Sequence, residues 1–185
     1  FVLPDSIMKQ LPSKGDYLEI AMGPGDNLRA ITEKLKPYSI TGTDISNGMV
    51  QKASNIDYKG GSLFFRADAQ YLPVIDEQYD VVMMFNMLDR VPNTKQALKE
   101  ASRVLKEGGK LVVGNCIPLQ NEKEVEGGTI LTYVPEQSRV ESMEEAMALT
   151  GCRLEGIERR VEWNIETVED GKEQLFVDVA TAKKQ

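Results

Sequence analysis

Between residues 17 and 45 the chain runs from an apolar stretch through a glycine turn and an amphipathic helix to a second apolar stretch ending in a carboxylate. Few folds accommodate that order. Tyr17-Leu18-Glu19-Ile20-Ala21-Met22-Gly23-Pro24-Gly25 reads as a buried strand entering a tight turn, and Ile40 to Ile45 as the next strand, with Asp44 at its end. In between, Leu28, Ile31 and Leu35 recur at the spacing of one helical face. The glycines therefore fall between a strand and a helix N-terminus. A backbone without Cβ atoms there approaches a ligand closely, and exposed N–H groups point at it. A carboxylate one strand away is an acceptor suited to a pair of hydroxyls, which makes a ribose the natural guest.

The rest of the chain continues the alternation and predicts an α/β fold with helical crossovers between parallel strands. A short helix is expected near Ser6 to Leu11, strands over 17–22, 39–44, 63–66, 79–85 and 110–115, and helices over 27–36, 46–55 and from Asn93 or Thr94 onward. Ser46 is the expected cap of the 46–55 helix, and Met49, Val50 and Ala53 its inward face. Gly108-Gly109 is the expected stop of the helix that precedes strand 110–115. After a polar stretch over 118–137 come a helix over about 141–150, stopped by Gly151, and two strands near 153–164 and 174–182. The Glu169 to Lys172 turn makes those two an antiparallel pair at the sheet edge. With 185 residues and no long low-complexity linker, a single domain over 1–185 is expected. Phe1 is not an initiator methionine, so a missing N-terminal substrate-capping segment belongs to the same expectation.

Spacing decides what the cradle holds. A dinucleotide fingerprint G-x-G-x-x-G begun at Gly23 and Gly25 needs a small residue at position 28, and position 28 is leucine. No Tyr-x-x-x-Lys pair occurs either, so a nicotinamide-dependent oxidoreductase is the weaker reading. Instead, Glu19-x-Ala21-x-Gly23-x-Gly25 places an acidic residue before small residues at alternate positions. Here the sequence resembles the class I S-adenosylmethionine-dependent methyltransferases, in particular the small-molecule, type 11-like group. Their first motif is an acidic residue followed by G-x-G-x-G, and Ala21 stands for the first glycine. The resemblance covers about residues 16–115. It continues through Asp44, Arg66-Ala67-Asp68-Ala69, Tyr79-Asp80-Val81-Val82 and Arg103-Val104-Leu105-Lys106-Glu107-Gly108-Gly109-Lys110-Leu111.

That resemblance implies a Rossmann-like, doubly wound and mostly parallel sheet of seven strands with helices on both faces. Its last strand is antiparallel and inserted beside the fifth. The resemblance also implies S-adenosylmethionine as cofactor, with Glu19 orienting its methionine end, Asp44 binding the ribose, Asp68 meeting the adenine amino group and the Ala69 N–H reaching the ring. Phe85 and Asn86 line the methionine part, and Ala21, Gly23, Gly25, Leu28, Ile45 and Met49 complete the cofactor-binding set. From the residues alone, Glu19 is also readable as a strand-end carboxylate held by backbone donors, and Asp68 as the cap of a short helical turn.

Composition narrows the chemistry. The chain has no histidine, which removes the commonest general base, and its two cysteines lack metal-ligand spacing, so no metal site is expected. Cys116 and Cys152 read as buried reduced thiols of a cytoplasmic protein. A net charge of −7 without a basic stripe argues against nucleic acid, and no apolar run is long enough for a membrane span. Related small-molecule enzymes carry one or two histidines after the leucine where this chain has Asp89-Arg90. Asp89 is the candidate catalytic residue, as proton acceptor or substrate orienter, and is also readable as a solvated loop carboxylate or a partner of Arg90. Tyr133 is a candidate substrate contact. The expected activity is methyl transfer to a small-molecule acceptor by in-line displacement. The acidity of the chain favours a cationic cofactor and an amine acceptor. The alternative from another class is a non-catalytic cofactor-binding regulatory domain.

Overall fold

Five apolar runs form parallel strands: β1 (Asp16–Ile20), β2 (Ser39–Asp44), β3 (Gly61–Arg66), β4 (Tyr79–Phe85) and β5 (Leu105–Asn115). The computed structural model describes residues 3–58, 60–115, 140, 142–166 and 172–185, the side chains at 163–166 and 172–175 excepted. Two long strands close the sheet, β6 (Arg153–Glu166) and β7 (Lys172–Lys183). The order is β3-β2-β1-β4-β5-β7-β6, with β7 antiparallel to both neighbours and seated beside β5. This is the expected doubly wound, mostly parallel sheet of seven strands.

Helices cover both faces because strand residues alternate sides. Leu18 and Ile20 of β1, with Val82 and Met84 of β4, pack under α4 (Thr94–Val104) and α5 (Met143–Thr150) through Ala97, Leu98, Ala101, Met143 and Met147. On the opposite face Tyr17, Val81 and Met83 pack under α1 (Asp5–Met8), α2 (Asp26–Lys34) and α3 (Asn47–Ser54) through Ile7, Leu28, Ile31 and Ala53. Residues such as Leu28 and Leu98 are fully removed from water, each contributing about 1.5–3 kcal/mol. One close approach needs a glycine. A Cβ on Gly42 of β2 would run into Met22, Leu28 and Phe64, so α2 lies directly on the strand only because that position has no side chain.

Several boundaries differ from the sequence reading, each for a physical reason. Strand β1 stops at Ile20 because Ala21 takes a left-handed φ of 58°. The first helix spans Asp5–Met8, and α2 ends at Lys34 because Leu35 is already extended, two residues before Pro37. The long helix ends at Val104, four residues before Gly108, because Leu105 turns extended to pair with Tyr79. Gly108 and Gly109 instead join β5 to the end of β7: Gly108 N–H donates to Lys184 O at 3.0 Å and Lys184 N–H to Gly109 O at 3.1 Å. Gly151 does stop α5, with φ 69°, and Ser46, Asn93 and Ser142 cap α3, α4 and α5. Cys116, Tyr133, the 118–137 stretch and the turn at 169–171 lie outside the described residues.

Candidate active site

The turn after β1 is built from three left-handed residues: Ala21, Gly23 (φ 56°) and Gly25 (φ 91°). Its N–H groups do not project freely as the sequence suggested. Gly23 N–H donates to Asp44 Oδ2 at 2.9 Å, and Gly25 N–H to Met22 O at 3.2 Å. Asp44 also accepts from Ser46 N–H through Oδ1 at 2.9 Å. One carboxylate thus links the glycine turn to the start of α3 and is held at both oxygens. Each oxygen keeps a lone pair for a further donor.

Around Asp44 lies a cleft of about 660 Å³ at the carboxyl ends of β1, β2, β3 and β4, within the usual size of a small-molecule site. Nine of the expected residues line it: Ala21, Gly23, Asp44, Ile45, Met49, Asp68, Ala69, Phe85 and Asn86. Ser46, Ala67, Gln70, Met87, Arg90, Val91 and Pro92 line it too, and sequence reasoning assigned none of these to the site. Two expected members stand elsewhere. Leu28 is fully buried in the core, and Gly25 lies against Tyr58 and Ala53, where a Cβ would collide with the Tyr58 hydroxyl.

A smaller arm of about 140 Å³ continues past Ala21, Gly23 and Asn86 to Glu19, Asp26 and Asn27. Glu19 sits in the interior strand β1, paired with Gly42 on one side and Met83 on the other, and is 1% exposed. Its Oε1 accepts from Asn27 Nδ2 at 2.7 Å, and Asn27 Oδ1 accepts from Leu3 N–H at 2.9 Å. Glu19 Oε2 and Asn86 Oδ1 are buried with no partner among the described residues. Burial pushes the Glu19 carboxyl up to about 8; the Asn27 bond opposes this, and the charges of Asp26 and Asp44 reinforce it. Among the described residues no backbone donor meets Glu19, and its carboxyl is held by a side-chain amide.

Asp68 caps a turn, but a tight non-helical one closed by its own bridge to Tyr71 rather than a helical one. Its Oδ1 accepts from Gln70 N–H at 2.9 Å and from Gln70 Nε2 at 3.0 Å. It lines the cleft all the same. Asp89 is half-buried: Asn115 Nδ2 donates to its Oδ1 at 3.5 Å, while Asn115 Oδ1 accepts from Leu88 N–H at 3.1 Å. Its neighbours Met87 and Arg90 face the cleft, and Asp89 is not among the lining residues. Among the described residues no cluster of metal-binding side chains occurs, and no helix is long and apolar enough to cross a membrane.

An open α/β sheet of this order, with its cleft outside the carboxyl ends of β1, β2 and β4, defines a protein of the Rossmann-like class. The family described as Methyltransferase domain matches residues 18–113, from β1 into β5, and the chain belongs to that family. An S-adenosylmethionine-dependent methyltransferase from Methanosarcina mazei shares the fold, with a TM-score of 0.70 at 21% identity over 100% of this chain and 99% of its own. The ubiquinone/menaquinone biosynthesis C-methyltransferase UbiE of Rickettsia peacockii is 30% identical over 65% of this chain and 51% of its own length. The 27-O-demethylrifamycin SV methyltransferase of Amycolatopsis mediterranei is 33% identical over 62% of this chain and 44% of its own length. The chain spans about half the length of these curated relatives.

Proposed function

We propose that this chain binds S-adenosylmethionine in the cleft and directs its methyl group to a small-molecule acceptor. The observation that carries the proposal is the fixed Asp44 carboxylate, held by Gly23 and Ser46 N–H groups at the rim of a cleft of cofactor size. It takes the ribose hydroxyls, with Asp68 and Ala69 toward the adenine. Glu19 Oε2 and Asn86 Oδ1, two buried acceptors without donors at the end of the narrow arm, fit the ammonium of a methionine end. The cofactor brings a methyl group already attached to a good leaving group. The protein's part is to hold the acceptor in line with it, and orientation of this kind supplies about 7–11 kcal/mol in favourable cases. Asp89 is not among the lining residues of the cleft, so the proposal assigns no general base and fits an acceptor that is nucleophilic as it arrives. One domain over 1–185, working in the cytoplasm with a reduced buried Cys152, belongs to the same proposal.

Calorimetric titration with S-adenosylmethionine, its demethylated product and NAD tests it. The first two bind and NAD does not; binding of NAD alone would transfer the cleft to an oxidoreductase. Asp44→Asn removes the charge from the sugar grip and weakens cofactor binding about ten- to a hundredfold. Binding without any demethylated product across a broad acceptor panel would instead favour the regulatory reading.

A further inference from the structure

We propose that Arg90 is the acceptor-recognition residue of the cleft and that the methyl acceptor carries an oxyanion, a carboxylate or a phosphate. This rests on reading the cleft as the S-adenosylmethionine site. Every other described arginine is engaged through its guanidinium. Arg29 pairs with Asp26, Arg103 with Glu100 and Asp76, Arg153 with Glu155, and Arg159 with Glu144 and Asp178. Arg66 donates to Ile45 O, and Arg160 lies over the Phe176 ring. The Arg90 guanidinium alone has no partner among the described residues, and it is exposed at the cleft wall.

The turn that carries Arg90 is fixed. Arg90 N–H donates to Met87 O at 2.9 Å, Thr94 Oγ1 to Leu88 O at 2.8 Å and Leu88 N–H to Asn115 Oδ1 at 3.1 Å, while Leu88 is fully buried. The turn fixes the root of the side chain at the cleft wall, and the planar fork of the guanidinium matches a carboxylate or phosphate through two parallel bonds.

The other described charges that line the cleft, Asp44 and Asp68, are committed to Gly23, Ser46 and Gln70. Among the described residues Arg90 is the one cation on the wall, and it is the charge left for an acceptor. A chain of net charge −7 repels anions at long range, so an anionic acceptor needs a local cation of this kind. An amine acceptor, the expectation from overall acidity, would meet like charge at Arg90.

The experiment compares wild type with Arg90→Gln. Calorimetry with S-adenosylmethionine comes first: absence of binding to wild type ends the underlying reading and this proposal with it. Binding with affinities within about twofold in both proteins separates Arg90 from the cofactor. Benzoate, phenyl phosphate, benzamide and benzylamine are then titrated by thermal shift in the presence of the demethylated cofactor. The two anions bind wild type better than the amide and the amine, and Arg90→Gln weakens them about two- to fivefold, a range set by the exposure of the side chain. Which anion binds more tightly tells a carboxylate acceptor from a phosphate one. Equal binding or no binding of all four, preference for benzylamine, an anion preference that survives in Arg90→Gln, or lost cofactor affinity in that variant each overturns the proposal.

Discussion

Glu19 is the residue at which sequence and environment disagree most, and the disagreement is measurable. A carboxyl in the interior strand β1, with one oxygen on Asn27 and the other without a donor among the described residues, resists ionisation and is pushed up to about 8. In the unfolded chain it ionises in the ordinary carboxylate range. The native state therefore holds its proton where the unfolded state has released it. The contribution to stability is full below the ordinary range and is lost as pH rises toward 8. Glu19→Gln keeps the shape and removes the titration. Urea unfolding at pH values from about 5 to about 8 should show wild-type stability falling by at least about 1 kcal/mol more than that of the variant. Parallel profiles would mean that Glu19 is ionised in the folded protein. The sequence shows an acid before a glycine turn, but not this environment. Asn27, which creates half of it, left one trace: a polar residue on the buried face of α2, four positions before Ile31.

At the scale of elements, Ala67 to Gln70 of the cleft wall belong to the β3–β4 connection, which is fastened to α4. Arg103 Nη1 donates to Val74 O and Asp76 Oδ1, both at 2.7 Å, and Nη2 to Leu72 O at 3.1 Å. Its Nε and Nη2 also hold Glu100, each at 2.8 Å, and Glu100 Oε2 accepts from Leu72 N–H at 2.8 Å. One guanidinium thus ties a loop that starts at the cleft to the helix beneath it. Lysine keeps the charge but not the fork, so Arg103→Lys should lower unfolding stability by about 1–3 kcal/mol and speed hydrogen exchange over residues 67–72. A variant within about 0.5 kcal/mol of wild type would show that the loop is held by other means. The strands and helices themselves were legible because burial writes a pattern into them: β4 runs apolar without a break from Val81 to Phe85, and α4 is amphipathic. The junction between α4 and β5 was not, since a long-range pairing of Leu105 with Tyr79 decides it. Gln70, Val91 and Pro92 were missed for a similar reason. They enter the cleft through loop closure, such as Gln96 Nε2 donating to Gln70 O at 3.3 Å, and loop closure leaves no period in the sequence.

Across the whole molecule, acid and alkaline sensitivity have different owners. Asp80 of β4 accepts from Asp16 N–H at 2.8 Å and from Lys106 at 2.9 Å, and Glu155 of β6 pairs with Lys110 of β5 at 2.8 Å. Arg103 holds Glu100 below the usual carboxylate range, and Lys110 does the same for Glu155. For Asp80, burial works upward but is outweighed by the Asp16 N–H and Lys106, leaving it lowered as well. These groups stabilise the fold above the ordinary carboxylate range, and that contribution is lost as pH falls through their lowered values. Glu19 works in the opposite direction, its contribution fading between that range and about 8. The unliganded protein should therefore melt highest near about pH 5, with a steep acid limb and a gentler alkaline decline. A cationic ligand at the Glu19 end of the cleft favours the ionised carboxyl, so its binding strengthens as pH rises. At a hundred times the dissociation constant S-adenosylmethionine should stabilise the fold by about 2.7 kcal/mol. At one fixed concentration its effect should grow from about pH 6 to about pH 8 and move the melting maximum upward. The ligand's own ammonium titrates near the top of that window, so the comparison is made against Glu19→Gln, in which that term remains and the carboxyl's does not. Melting curves at matched ligand concentration give the result directly: equal pH dependence in both proteins would place the ammonium away from Glu19, and a steeper rise in wild type would place it in the narrow arm.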